Sequence, residues 1–246
     1  MMHRSLRAEL LKLVTTKATY GLILGAAAVV ALTVASTIAS SKSASLSGAL
    51  HDQVFFLLTS INVGLFSLIL GMRVVTDEYR NRTIVHSFLS DPGRNRTLAA
   101  KALASALAAS VIAVASLIVM IAIALPLASA KGGTLALEGS DASAFGGFLL
   151  SNALWAVIGV GVGATIRHQV ASIVGGLVWV LVIENLGSGF LGDMGSYLPG
   201  QAAYALGNAL DTAAALQPPA AATVMAIYAL FAWLLGIAVT RVRDVD

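Results

Sequence analysis

The stretch TDEYRNRTIVHSFLSDPGRNRTLAAK, residues 76–101, decides the fold, because it sets a dense run of charge between two stretches that read as lipid-soluble. Counting Arg73 just before it, it holds six Arg or Lys residues, in a chain of 246 residues that is 58% hydrophobic and only 11% charged. An ordinary soluble domain carries about 25% charged residues, so this is the composition of a membrane protein. A helical span needs about 20 consecutive apolar residues to cross the hydrocarbon core, and in lipid every backbone N–H and C=O must be paired within the segment. Six windows fit: 18–41, 53–72, 102–125, 142–166, 169–186 and 218–240. The expected fold is an all-α integral membrane protein, a single transmembrane domain over 1–246 with six transmembrane helices.

With six spans both chain ends share one side, together with the loops after the second and fourth spans. That side holds thirteen Lys and Arg residues, against only Lys42 and Lys131 on the other. The positive-inside rule therefore puts both termini in the cytoplasm. Acidic residues divide six against six, which leaves the argument intact because the rule concerns Lys and Arg. The net charge of +3 is explained by topology anchors and contacts to anionic membrane lipids, and gives no reason to expect nucleic acid. Basic residues ahead of an apolar run also fit a cleaved signal peptide, but this run exceeds the usual length and further spans follow, so the segment is expected to stay. The absence of cysteine excludes a disulfide framework and a thiolate metal site.

Residues 1–17 read as an amphipathic interfacial helix. On a helical wheel Leu6, Leu10, Leu13 and Val14 share one face, while Arg4, Ser5, Glu9 and Lys12 share the other. Such a helix lies along the membrane surface with its apolar face in the acyl boundary; the alternative is a frayed leader. In the opening stretch, residues 76–91 read as a short helix. Ile84, Val85, Phe88 and Leu89 fall on one arc, and Arg80, Thr83, His86 and Ser87 on another. Glu78 and Arg82 stand at i, i+4 in the order that favours a helix. Asp91-Pro92-Gly93 then stops it, since proline disfavours helical geometry in the residue before it and glycine tolerates positive φ. A second helix starts in RNRTLAAK. Composition alone leaves an ordinary loop with solvated ion pairs equally open.

Three segments carry a resemblance. Glu78-Tyr79-Arg80, Thr83-Ile84, Pro92, Arg94, Arg96 and Lys101 form the first, and AELLKLVTTK (residues 8–17) the second. The third is GVGVGATIRHQVASIVGGLVW (159–179), followed by Glu184-Asn185-Leu186 and Tyr197-Leu198-Pro199-Gly200. In this order they resemble the permeases of the ABC type-2 transporter family, and the third is similar to its actinobacterial members. Arg82 departs from the pattern, since many relatives have glycine before the threonine. The resemblance implies a six-span subunit of a bacterial inner-membrane exporter, paired with a second permease subunit, identical or not, and with two separate ATP-binding subunits. It also implies that 76–91 is the coupling helix, with Glu78, Tyr79, Arg80, Thr83, His86 and Ser87 at the ATPase.

The residues themselves agree on one absence: no G-x-x-x-x-G-K-[ST] phosphate loop occurs, so ATP hydrolysis by that route belongs to another subunit. No catalytic, cofactor or metal site is expected. The alternatives are an ion-coupled secondary transporter and a membrane-embedded structural or sensory partner. Carriers place ionisable groups at membrane depth, and here Glu184 is the exception to nearly charge-free spans. Counted from Gln169 it lies roughly 23 Å along the fifth span, in the outer part of a core about 30 Å thick. There it either reaches outer headgroups or takes a buried, pairing or substrate-facing role. Residues 187–217 are apolar yet broken by glycine and proline, which suits short re-entrant helices capping the outer end of the route, with Glu184, Asn185, Tyr197 and Pro199 as gate or pathway residues. A surface loop is the alternative. Gly21/Gly25 and Gly159/Gly163 are GxxxG pairs suited to bundle packing, and Asn62 and Asn152 either tie helices together or line a pathway.

Overall fold

A computed structural model describes residues 2–41, 48–49, 54–83, 94–136, 141–207 and 216–242. They form α1 (Met2–Thr15), α2 (Lys17–Ser40), α3 (Val54–Arg80), α4 (Arg94–Ala130), α5 (Asp141–Ile166), α6 (Gln169–Phe190), α7 (Pro199–Leu206) and α8 (Pro218–Val242). Among the described residues the β pairing is limited to a two-residue parallel bridge, Gly48–Ala49 with Leu135–Ala136. Five helices, α2, α4, α5, α6 and α8, are long and apolar enough to cross a membrane, so the chain is a multi-pass membrane protein. Their outward faces carry Leu24, Leu32, Ile118, Val174, Ile227 and Phe231, a surface suited to lipid.

Lipid gives helices no hydrophobic reason to associate, so close packing of small residues has to hold them. α5 lies at the centre, packed on α3, α4 and α8. Gly71 of α3 rests on the carbonyl oxygen of Ala156, and Gly159 of α5 on that of Leu68; a Cβ at either position would collide with backbone. Gly163 abuts Met72 in the same seam, so the second GxxxG pair is a helix contact. The first pair is not equivalent: Gly25 faces the Phe66 ring, while Gly21 has open space beside it.

Two helices outrun their expected ends. α3 does not stop at residue 72 but continues to Arg80, so residues 76–80, expected to open a separate helix, are its last turns. An Arg73–Asp77 ion pair of 2.9 Å spans the junction, and polar residues beyond the apolar window break no helical hydrogen bond. The helix then closes by a Schellman motif: Arg82 N–H donates to Tyr79 O at 3.2 Å and Thr83 N–H to Glu78 O at 2.9 Å, with Arg82 at φ 56°. Arg82 thus occupies the left-handed position that glycine usually fills. The expected Glu78–Arg82 pair does not form, because Arg82 has left the helix and Glu78 turns inward. Residues 84–91, the rest of the expected coupling helix, lie outside the described residues. α4 begins at Arg94 as expected but runs through Pro126 to Ala130. Proline there removes one N–H, the partner of the Ala122 carbonyl, close to the helix end.

α6 continues past Glu184 to Phe190 through a π-helical turn at Trp179–Ile183. A 3-10 turn at Gly192–Tyr197 leads into α7, whose Pro199 occupies its first turn and whose Ala202, Ala203, Ala205 and Leu206 are buried. α7 packs on α3, α5 and α8. Residues 208–215 of the expected re-entrant region lie outside the described residues.

The two ends of the bundle differ. At one, α1, the end of α3, the start of α4, the α5–α6 turn and the end of α8 gather: Arg80 Nη1 donates to Gln169 Oε1 at 2.8 Å, Arg167 Nη2 to Val239 O at 3.1 Å, and Arg241 Nε to Asn95 Oδ1 at 3.3 Å. At the other, Lys131 Nζ donates to the carbonyls of Ile38 and Ala39, each at 2.6 Å, capping α2 from the end of α4.

Candidate functional site

At the charge-rich end four charged side chains from three helices converge. Lys101 of α4, only 1% exposed, donates to Glu9 Oε2 of α1 at 3.0 Å and to Glu78 Oε1 of α3 at 2.6 Å. Lys12 of α1 donates to Glu9 Oε1 and Glu78 Oε1, both at 2.7 Å. Among the described residues two cations and two carboxylates therefore form a charge-balanced network, each carboxylate serving both lysines. This corrects the reading of α1. Leu13 is buried, with Leu6 and Leu10 against the core, as an apolar face requires. Glu9, expected on the polar outer face, is buried beside them, and Val14, expected on the apolar face, is 62% exposed. The wheel needs only a small rotation to do this, because Glu9 lies between Leu6 and Leu13 at helical spacing.

Burial opposes the charged forms, and the partners override it. It pulls Lys12 toward neutrality, yet hydrogen bonds to Glu78 and Glu9, with their charges, hold its pKa above the ordinary 10.5. It likewise pushes Glu78 upward, and the charge of Lys101 with hydrogen bonds from Lys101 and Lys12 hold it below 4.5. Lys12 and Glu78 therefore stay ionised around neutral pH.

The expected coupling residues divide. Glu78 belongs to the network and Tyr79 is half-buried, with the Arg167 guanidinium 5.2 Å above its ring. Both brace the helix end. Arg167, at φ 60°, and His168, whose Nδ1 accepts the Ala171 N–H at 3.3 Å, make the two-residue turn from α5 to α6. Arg80 and Thr83 are exposed. His86 and Ser87 lie outside the described residues.

The opposite end holds the expected gate residues. Glu184 is 3% exposed, so it does not reach toward headgroups. Its Oε1 accepts from Trp179 Nε1 at 3.0 Å and its Oε2 from the Gly200 N–H at 2.7 Å. Gly200 is the second residue of α7, so Glu184 supplies from α6 the cap that Leu198 cannot. Glycine lets the carboxylate approach this closely, since a Cβ there would meet Glu184 Oε2 and push it aside. Pro199 is buried beside it, while Tyr197 is exposed and Asn185 is exposed with its Nδ2 on Leu181 O at 2.9 Å. Asn152 is fully buried: its Oδ1 accepts from Ser67 Oγ of α3 at 2.7 Å and its Nδ2 donates to Phe148 O at 2.9 Å. Asn62 is half-buried in α3.

What sequence reasoning missed is Glu9 and Lys12 as partners of Glu78 and Lys101. Their i, i+3 spacing signals a pair, and nothing local signals that the pair is buried against another helix. The network offers rigidity, fastening α1, α3 and α4 where the charged segment leaves the bundle. No protein-family model matches the chain, and comparison with curated proteins gives no match.

Proposed function

We propose that this chain is the transmembrane permease subunit of an ATP-binding cassette exporter in a bacterial inner membrane. In this reading it has six spans, the sixth being α3, whose Val54–Met72 part is free of charged residues. Both termini are cytoplasmic, a second permease subunit completes the route, and the segment after α3 docks into a separate ATPase. α7 is a re-entrant helix that caps the outer end.

The observation that carries the reading is the charged network. Two of the segments that resemble type-2 permeases, 8–17 and 78–101, meet in it through Glu9, Lys12, Glu78 and Lys101. A docking segment moves a membrane domain as a body only if its root does not fray, and this root is tied to three helices at once. The test is affinity purification of the tagged chain from its own cells. A phosphate-loop ATPase is expected to copurify, and the triple variant Arg80→Glu, Thr83→Ala, His86→Ala is expected to lose it while still inserting in the membrane. Absence of any such ATPase from the wild type, or its full retention by the variant, contradicts the proposal. Glu184 is the feature that favours the alternative, an ion-coupled carrier. Its bonds to Trp179 and Gly200 already give it a structural role, and uphill transport by the chain alone on an ion gradient would decide for the carrier.

A further inference from the structure

Beside the charged network lies a cavity of about 720 Å³, bounded by α1, α2, α3 and α4. Its volume falls within the roughly 300–1,000 Å³ of small-ligand sites. The lining is graded. Along α3 the wall runs Leu70, Arg73, Val74, Asp77, Asn81, residues three or four apart on one helical face. At 1.5 Å per residue that strip is about 16 Å long, apolar at Leu70, charged at Arg73 and Asp77, polar at Asn81. α2 repeats the gradient in the same direction, from Leu22 through Thr19 to Thr16. Two independent helices thus set an apolar depth below a charged mouth, which fits an amphiphile lying parallel to α3.

The charges select its head. Arg73 is paired with Asp77 at 2.9 Å, Lys12 with Glu9 and Glu78 at 2.7 Å, and Lys101 stands behind the same two carboxylates. Among the described residues that line or back the cavity, three cations and three carboxylates balance while presenting both signs. A head of net charge would find no excess counter-charge among them. A head carrying a phosphate and an ammonium can set the first by Lys12 and Arg73 and the second by Asp77. We propose that this cavity binds the headgroup of a zwitterionic phospholipid, whose acyl chains leave past Leu22 and Leu70. The inference does not rest on the exporter reading.

The test uses the purified full chain in detergent and native mass spectrometry, with short-chain phosphatidylethanolamine, phosphatidylcholine and phosphatidylglycerol, and with free phosphoethanolamine. Both zwitterionic lipids are expected to exceed phosphatidylglycerol in occupancy by about fivefold, the effect of one uncompensated surface charge. Free phosphoethanolamine, lacking the apolar part, is expected not to bind at the same concentration. Asp77→Asn leaves the wall with one net positive charge and is expected to reverse the order in favour of phosphatidylglycerol, a result that loss of fold does not produce. Thr19→Trp, which fills the cavity, is expected to abolish all three without lowering the unfolding temperature. Equal binding of the three lipids by the wild type, binding of free phosphoethanolamine alone, an unchanged order in Asp77→Asn, or undiminished binding in Thr19→Trp would each overturn the proposal.

Discussion

Lys101→Met strikes the charged network at its most buried member. The substitution keeps the length and helix propensity of the side chain and removes the ammonium that bridges Glu9 at 3.0 Å and Glu78 at 2.6 Å. What remains is two carboxylates, each less than a tenth exposed, sharing Lys12, whose side chain is 50% exposed. Removing one partner of a buried pair costs about 3–5 kcal/mol, because the other charge is left uncompensated. Lys12 still compensates part of it, which places the expected loss near the lower limit, about 3 kcal/mol. The same substitution at Lys12 removes a solvated partner and should cost no more than about 1 kcal/mol. The double variant Glu9→Gln, Lys101→Met should lose less than the sum of its single variants, with a coupling of about 1–3 kcal/mol. Unfolding in mixed detergent micelles, followed by the fluorescence of the three tryptophans, measures all four. A loss below about 1 kcal/mol for Lys101→Met, or strict additivity with Glu9→Gln, would refute the claim that this network holds α1, α3 and α4 together.

Arg82→Gly should stabilise the chain by about 1 kcal/mol in the same assay, because Arg82 sits at φ 56° in a helix-ending position that costs any residue with a Cβ about that much. Gly71→Val should destabilise by about 1–3 kcal/mol, since its Cβ would meet the backbone of Ala156 and Val160, which cannot yield as a side chain does. Gly200→Ala should displace the Glu184 carboxylate and raise proteolytic cleavage around α7, and unchanged cleavage would show that the cap is dispensable. The network's contribution also depends on pH in a fixed sense. Glu78 titrates below its ordinary 4.5 in the folded chain, so its share is present above that value and lost as pH falls through the depressed one. Lys12 titrates above 10.5, so its share is present below that value and lost as pH rises through the raised one. Melting temperature should therefore show a plateau between these limits, Glu78→Gln flattening the acid limb and Lys12→Met the alkaline one.

Five of the six expected spans were legible because hydrocarbon imposes a length: the windows 142–166 and 218–240 match Asp141–Ile166 and Pro218–Val242 to within a turn. Helix ends beyond the hydrocarbon were not, since leaving lipid removes the need for apolar residues without removing backbone hydrogen bonds. That is why α3 passes from Met72 into the charged run, and only a left-handed Arg82 ends it. A helical wheel orders residues around α1 but does not say which direction meets the bundle, so it turns Glu9 outward. Counting residues likewise sets Glu184 near the outer boundary. It instead bonds to Gly200, just after a π-helical turn that no local pattern announced.

The central claim, that a neighbouring ATPase grips this chain where it leaves α3, is tested most directly by photo-crosslinking in living cells. A benzophenone amino acid placed at Thr83, the exposed residue just past the Schellman closure, reports what lies against that point. The account predicts a crosslink to a cytoplasmic protein bearing a phosphate loop, identified by mass spectrometry. Adducts only with proteins on the opposite side of the membrane would contradict it.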